Sequence, residues 1–303
     1  MPLKNFSLPS YAKINLNLRV LGKRADGFHE LCTVFQTVSL SDQLNFSLHN
    51  EIKLNCNDEK IPVGDRNLIV KAAKILMEKF KVEKGAEISL EKNIPSPGGL
   101  GGGSSNAAAA LIGLIRLWEI QVNFEELCEI GKTIGSDVPF FFYGGTALGT
   151  GRGTEIFPLE DFREKNLLIV TPNVDVSTAE AFRRLNAPDL TNKASKSILK
   201  ICRNEAETLD LQQSNQVNDF EKLIFEIKPE IGRVKKKLID SGSKSALMSG
   251  SGASVFALFE NAEQLRNAFD ALQNQSDWRV FRAETISRSS YRAALGLDKM
   301  FGG

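Results

Sequence analysis

The residues best suited to chemistry lie at 94–106, where Ile94, Pro95, Ser96 and Pro97 lead into a glycine-rich run that ends at Ser104, Ser105 and Asn106. Five of the six residues from 98 to 103 are glycine. An alternating segment at 86–92 reads as a strand before this run, and an Ala/Leu/Ile-rich stretch from about 105 to 119 reads as a helix after it. Strand, glycine loop and helix N-terminus together make a phosphate cradle. The backbone can approach an anion because side chains are missing, and free N–H groups and the helix dipole point at it. Ser104 and Ser105 can add hydroxyls to a phosphate or to Mg²⁺. A plain linker is a poor account of a strand–helix junction. Two familiar phosphate motifs also fail. The Walker loop needs a lysine after its last glycine, whereas Ser104 and Ser105 follow Gly103 directly. The dinucleotide fingerprint G-x-G-x-x-G fits only out of register, and no acidic residue caps a second strand about 20 residues on.

These residues resemble the P-x-x-x-G-L-x-S-S motif of the GHMP kinases, the small-molecule kinases grouped as galactokinase, homoserine kinase, mevalonate kinase and phosphomevalonate kinase. The two extra glycines before Ser104 are similar to one branch, which phosphorylates a cytidine-diphosphate-linked methylerythritol in non-mevalonate isoprenoid precursor synthesis. The blocks at 12–16, 22–29 and 134–141 resemble that branch too, and the turn at 248–254 resembles the family's third motif. The resemblance spans residues 9–285. Two positions depart from it. Pro97 stands where a small residue is usual, which stiffens the loop, and Phe28 stands where tyrosine is common.

The resemblance implies an ATP-dependent kinase that uses Mg²⁺ and phosphorylates a small alcohol. It implies that Lys13 and Asp137 meet in the site, Asp137 as a base or orienting group for the acceptor hydroxyl. A lysine beside that carboxylate would keep it ionised and would stabilise the transferred phosphoryl. ATP is expected on Pro95, Ser96, Pro97, Gly98, Gly99, Leu100, Gly101, Gly102, Gly103, Ser104 and Ser105, with adenine near Asn67 and Leu68. A cytidine needs aromatic faces for stacking. Phe28 and Phe182 are the expected pair, with His29 reading the base edge. Asn15 shares a strand face with Lys13 and is expected at the tetrol hydroxyls, with Phe35 at the methyl end. No set of metal ligands is legible. The rivals are a homoserine- or mevalonate-type kinase, a decarboxylase on the same scaffold, and a non-catalytic nucleotide binder. The last would have no need of Lys13 and Asp137 together.

Composition narrows the partners. Among 303 residues, 38 basic and 37 acidic side chains leave a net charge of +1, which argues against a nucleic-acid binder. Cys32, Cys56, Cys128 and Cys202 are scattered, and His29 and His49 form no ligand spacing, so a structural zinc is not expected. No signal peptide or membrane span is legible, and a cytoplasmic enzyme is expected.

The elements that must position these groups read as a mixed α+β chain. Strands are expected at 12–20 and 31–40, a hairpin from 44–48 and 52–54, and a helix at 67–80 capped by Asp65 or Asn67. Asn123 reads as the cap of a helix at 124–133. The five glycines between 144 and 153 read as turns and short strands. Later come a buried strand at 167–170, helices at 179–185, 230–241 and 262–272, and strands at 255–259 and 278–283. Residues 246–248 read as a turn, and the polar run 191–216 as the mobile part. The expected architecture is two domains, 1–160 and 161–303. The resemblance implies a nucleotide-binding first domain, a ferredoxin-like second domain and a site between them.

Overall fold

A computed structural model describes residues 5–302 except 186, 191–199, 201, 203, 205 and 207–215. The polar run 191–216 therefore lies almost wholly outside the described residues.

Two long antiparallel strands, β1 (Asn5–Lys23) and β2 (His29–His49), form the spine of the first sheet. The far edge of β2 is shared. Its C-terminal part pairs with β4 (Gly85–Glu91) and its N-terminal part with β5 (Thr146–Gly151). Strand β3 (Lys53–Cys56) lies parallel beyond β4, and β6 (Glu155–Pro158) antiparallel beyond β5.

The expected hairpin from 44–48 and 52–54 does not form, because β2 runs through 29–49 without a break and β3 pairs with β4. The reason is that β4 lies between β2 and β3. Asp42, which falls between the expected strands 31–40 and 44–48, is fully buried inside β2. Its carboxylate accepts the Asn93 and Ile94 N–H groups (both 2.7 Å), Lys92 Nζ (2.8 Å) and Asn106 Nδ2 (2.8 Å). A carboxylate satisfied in this way can sit inside a sheet.

Helices α1 (Leu68–Phe80), α2 (Gly102–Leu117), α3 (Phe124–Ile134) and α4 (Phe140–Tyr143) cover one face of this sheet. Asn67, not Asp65, caps α1 by accepting the Ile69 N–H at 2.9 Å, and Asn123 caps α3. Gly113 lets α2 press onto the Phe46 ring, since a Cβ there would collide with it.

The second sheet contains β7 (Leu167–Pro172), β8 (Ser245–Met248), β9 (Val255–Leu258) and β10 (Trp278–Ala283) in the order β10-β7-β9-β8, all antiparallel. Helices α5 (Thr178–Arg184), α6 (Glu221–Ile227) and α7 (Pro229–Asp240) separate β7 from β8, and α8 (Ala262–Leu272) separates β9 from β10. This is the split β-α-β-β-α-β arrangement of a ferredoxin-like unit. The small residues at 246–248, read above as a turn, belong to β8, because Ala246 and Met248 pair with Ala257 and Val255.

One face of this sheet packs on α7 and α8 through Val170, Ala257, Val234 and Leu265. The other face carries Ile169, Leu247 and Phe256 onto Ile14, Leu16 and Val34 of the β1–β2 spine. The two halves thus share a dry core, which fixes the cleft between them. The chain then returns. Helices α9 (Arg288–Leu295) and α10 (Leu297–Phe301) bury Tyr291, Leu295 and Leu297 in the core of the first half.

Candidate active site

The glycine-rich loop joins β4 to α2 along the open edge of β1, where the Lys13 N–H donates to Leu100 O at 2.9 Å. Helix α2 begins at Gly102, three residues earlier than the sequence suggests, with Gly101 as its cap. The unpaired N–H groups of its first turn therefore belong to the glycines and Ser104. Gly99 and Gly101 hold left-handed φ values of 71° and 68°. A Cβ on Gly99 would fall on Ser249 O, and one on Gly101 would lie 2.9 Å from Lys13 Cγ. Alanine at Gly101 would also need a backbone that costs an L-residue about 1–2 kcal/mol. We expect Gly101→Ala to raise the KM for the nucleotide about tenfold and lower Tm by a few degrees; steady-state kinetics and a melting curve check it.

The turn at 249–254 braces the same loop. Ser254 N donates to Gly98 O at 3.0 Å, and Ser249 Oγ to Gly99 O at 2.9 Å.

Lys13 projects from β1 into the space beside the first turn of α2 and is almost fully buried. Its ammonium donates to Asn15 Oδ1 (2.6 Å) and Gly99 O (3.0 Å) and lies 3.6 Å from Asp137 Oδ2. Burial pulls the Lys13 pKa below the ordinary lysine value, while Asp137 pushes it back up. Asn15 is itself held: its Nδ2 donates to Thr33 Oγ1, which donates to Asn17 O, both at 2.7 Å. Asp137 stands in the turn between α3 and α4, with its side chain about one-third exposed. Tyr291 anchors α4, which follows that turn, by donating its hydroxyl to Phe141 O at 2.6 Å. Phe35, buried against Phe140 (4.9 Å between centroids), lies below the Lys13 ammonium. A buried cation, a carboxylate open to solvent and a row of helix N–H groups thus converge on one point. Such a site can hold a phosphate chain and take a proton from a hydroxyl beside it.

A cavity of about 1180 Å³ runs from this point to an aromatic end on the other side of the cleft. There the His29 ring stacks on Phe182 (5.1 Å, 29°), and Phe182 meets the edge of Phe220 (4.8 Å, 86°). Burial and the Lys23 charge lower the His29 pKa, which favours the neutral imidazole. Phe28, at the tip of the β1–β2 hairpin, is half exposed and carries the Arg152 guanidinium over its ring at 3.7 Å. Phe28 and Phe182 both line the cavity, Phe28 beneath Arg152 and Phe182 against His29.

Lys13, Asn15, Phe28, His29, Phe35, Leu68, Asp137, Phe182 and loop residues 95–104 all line this one cavity. Two expected residues do not. Ser105 is buried and accepts a hydrogen bond from Ser10 Oγ at 2.8 Å, and the Asn67 side chain is spent on capping α1 and on Pro62 O. Sequence reading missed Arg152, Thr178, Gly250 and Ser251, which also line the cavity. The only signal at Arg152 was an arginine between two glycines in a stretch read as turns.

A sequence profile for the GHMP kinases N terminal domain matches residues 67–145, and one for the GHMP kinases C terminal matches 194–277. The chain is 40% identical to a 4-diphosphocytidyl-2-C-methyl-D-erythritol kinase of Solibacter usitatus, over 94% of this chain and 90% of that one. This chain belongs to the GHMP kinase family. Its likeness to that enzyme is shared by a namesake from Thermoanaerobacter pseudethanolicus, 37% identical over 94% of this chain and 98% of the relative. A crystal structure of 4-(cytidine 5'-diphospho)-2C-methyl-D-erythritol kinase superposes with a TM-score of 0.73 at 32% identity, covering 93% of this chain and 99% of that one. In this GHMP kinase the glycine-rich loop and Asp137 fall inside the N-terminal profile, whereas Lys13 and the Phe28–His29 tip precede it.

Proposed function

We propose that this kinase moves the γ-phosphoryl of ATP to the 2-hydroxyl of 4-diphosphocytidyl-2-C-methyl-D-erythritol, leaving ADP and the 2-phosphate. The step belongs to non-mevalonate synthesis of isoprenoid precursors. The observation that carries this is the Lys13–Asp137 pair, 3.6 Å apart at the foot of α2, in a cavity whose far end is aromatic.

Phosphoryl transfer needs positioning and charge neutralisation more than covalent chemistry, and positioning alone can supply about 7–11 kcal/mol of a barrier. The α2 N–H groups and loop 95–104 hold the phosphates, and adenine packs toward Leu68. Asp137 takes the proton of the acceptor hydroxyl. Lys13 balances charge on the moving phosphoryl, and Asn15 orients the tetrol, with Phe35 beneath its methyl end. Mg²⁺ fits the oxygen donors here. Ser104 lines the cavity and would offer its hydroxyl, and the nucleotide would bring most of the remaining oxygens. Among the described residues no three His, Cys, Asp or Glu side chains gather into a dedicated metal centre. We take the two halves to divide near residue 160, and we place the reaction in the cytoplasm, where ATP is supplied. Among the described residues no helix is long and apolar enough to cross a membrane.

Cytosine is placed at the end framed by Phe28, His29 and Phe182, where a neutral imidazole can accept from the exocyclic amine. Phe28 is half exposed, so truncating it spares the core. We expect Phe28→Ala to raise the KM for the cytidyl alcohol about tenfold, the scale of one lost base–aromatic contact, with the KM for ATP unchanged. An unchanged cytidyl KM would remove Phe28 from the base site. The function itself is tested by ADP release with three acceptors: the cytidyl alcohol, mevalonate and homoserine. Turnover with the first alone is expected. Turnover with either rival and none with the cytidyl alcohol would overturn the reading.

A further inference from the structure

Residues 217–221 touch both ends of the cleft. Their backbone continues the open edge of β1, with Leu18 N donating to Val217 O (2.8 Å) and Asp219 N to Leu18 O (3.0 Å). Between them the Asn218 side chain is buried, and its amide uses both ends. Nδ2 donates to Met248 O (2.7 Å) and to Gly250 O (2.8 Å), while Oδ1 accepts the Phe220 N–H (3.0 Å). Glu221 adds to the clasp by accepting the Met248 N–H at 2.9 Å.

The carbonyls that Asn218 holds belong to the turn that braces the glycine-rich loop. Gly250 adopts φ 59°, and a Cβ there would lie 3.1 Å from Gly99 O and 3.5 Å from Lys13 Nζ. Next to it, Ser249 Oγ donates to Gly99 O, the same oxygen that receives Lys13 Nζ. Three hydrogen bonds in series therefore join Asn218 to the Lys13 ammonium. On its other side, Oδ1 fixes the start of α6, where Phe220 backs Phe182.

We propose that Asn218 is a positioning residue for phosphoryl transfer. Its amide nitrogen sets the 248–254 turn, and through it Gly99 O and Lys13 Nζ, while its amide oxygen separately sets Phe220 behind the aromatic end. This rests on the phosphoryl-transfer reading of the site.

The two ends of the amide can be cut separately. Asn218→Asp keeps the size and the acceptor to Phe220 N but can no longer donate to both carbonyls. Asn218→Ala removes everything. With the full chain and ATP, Asn218→Asp should lower kcat per folded enzyme about 10- to 100-fold, the scale of a displaced reacting group. It should also weaken ATP binding severalfold, measured by calorimetry without an acceptor. The KM for the cytidyl alcohol should stay within about twofold, and only Asn218→Ala should raise it. A purely structural role would instead lower Tm and leave kcat per folded enzyme and these constants alone. Wild-type kcat and ATP affinity in Asn218→Asp would overturn the proposal. If that variant does not fold, Ser249→Ala cuts the turn from Gly99 O directly and must show the same selective loss; unchanged kcat there overturns it too. Should the wild type prefer mevalonate or homoserine, the substrate reading fails, while the kcat ratio is read with that alcohol. ATP affinity tests the positioning in every case.

Discussion

Asp137→Asn is expected to lower kcat by about 10²–10⁴-fold, the range spanned by a lost general base, with both KM values near wild type. The exchange keeps the shape of a side chain that stands in the turn before α4, the helix fastened by Tyr291, so the main chain has no reason to move. It also removes the carboxylate that pushes the Lys13 pKa up against burial. Lys13 in the variant therefore holds its proton less well. The linkage has a definite sign. Folding depresses the Lys13 pKa, so this group opposes folding at pH values below its folded pKa. The penalty fades as pH rises toward the ordinary lysine value of 10.5. Loss of Asp137 deepens it, and a small drop in Tm at neutral pH that shrinks on the alkaline side should accompany the catalytic loss. Single-turnover phosphoryl transfer with parallel melting curves measures both. Near-normal turnover would end the assignment of Asp137 as base.

Lys13→Met is expected to cost about 10²–10³-fold in kcat, as when one preorganised donor to a developing charge is removed. Its effect on stability should run the other way. Removing one member of a buried pair destabilises when it strands the other in a dry site. Asp137, left behind, is partly solvated. A variant that is nearly inactive yet melts at or above the wild-type temperature is the expected pattern. In the wild type, kcat/KM reports the free enzyme. Its alkaline limb should fall below pH 10.5, since burial has lowered the Lys13 pKa. A limb at or above that value would show that the Lys13 charge is not required.

Much of the site was legible because it rests on local signals. Glycines between a strand and a helix declare a loop that leaves helix N–H groups open, and the two-residue spacing of Lys13 and Asn15 declares a shared face. The limits were set by long-range contacts. Asp42 falls between the expected strands 31–40 and 44–48, yet it sits inside β2 because Lys92, Asn93, Ile94 and Asn106 supply its partners from 50 residues away or more. Ser105 reads as a phosphate ligand until Ser10 claims it. The small residues 246–248 look like a turn until Val255 and Ala257 lie beside them. Arg152 and Asn218 stand out only through what faces them, the Phe28 ring for one and the carbonyls of Met248 and Gly250 for the other.

The return of α9 to the first half sets an order of events during synthesis. Asp137 leaves the ribosome long before Tyr291, whose hydroxyl fastens α4, the helix that follows Asp137. At about 5–20 residues per second, the interval is on the order of ten seconds or more. A half-made chain thus holds the lysine and the carboxylate without their rear support. The site is set only once the segment that carries Tyr291 has emerged.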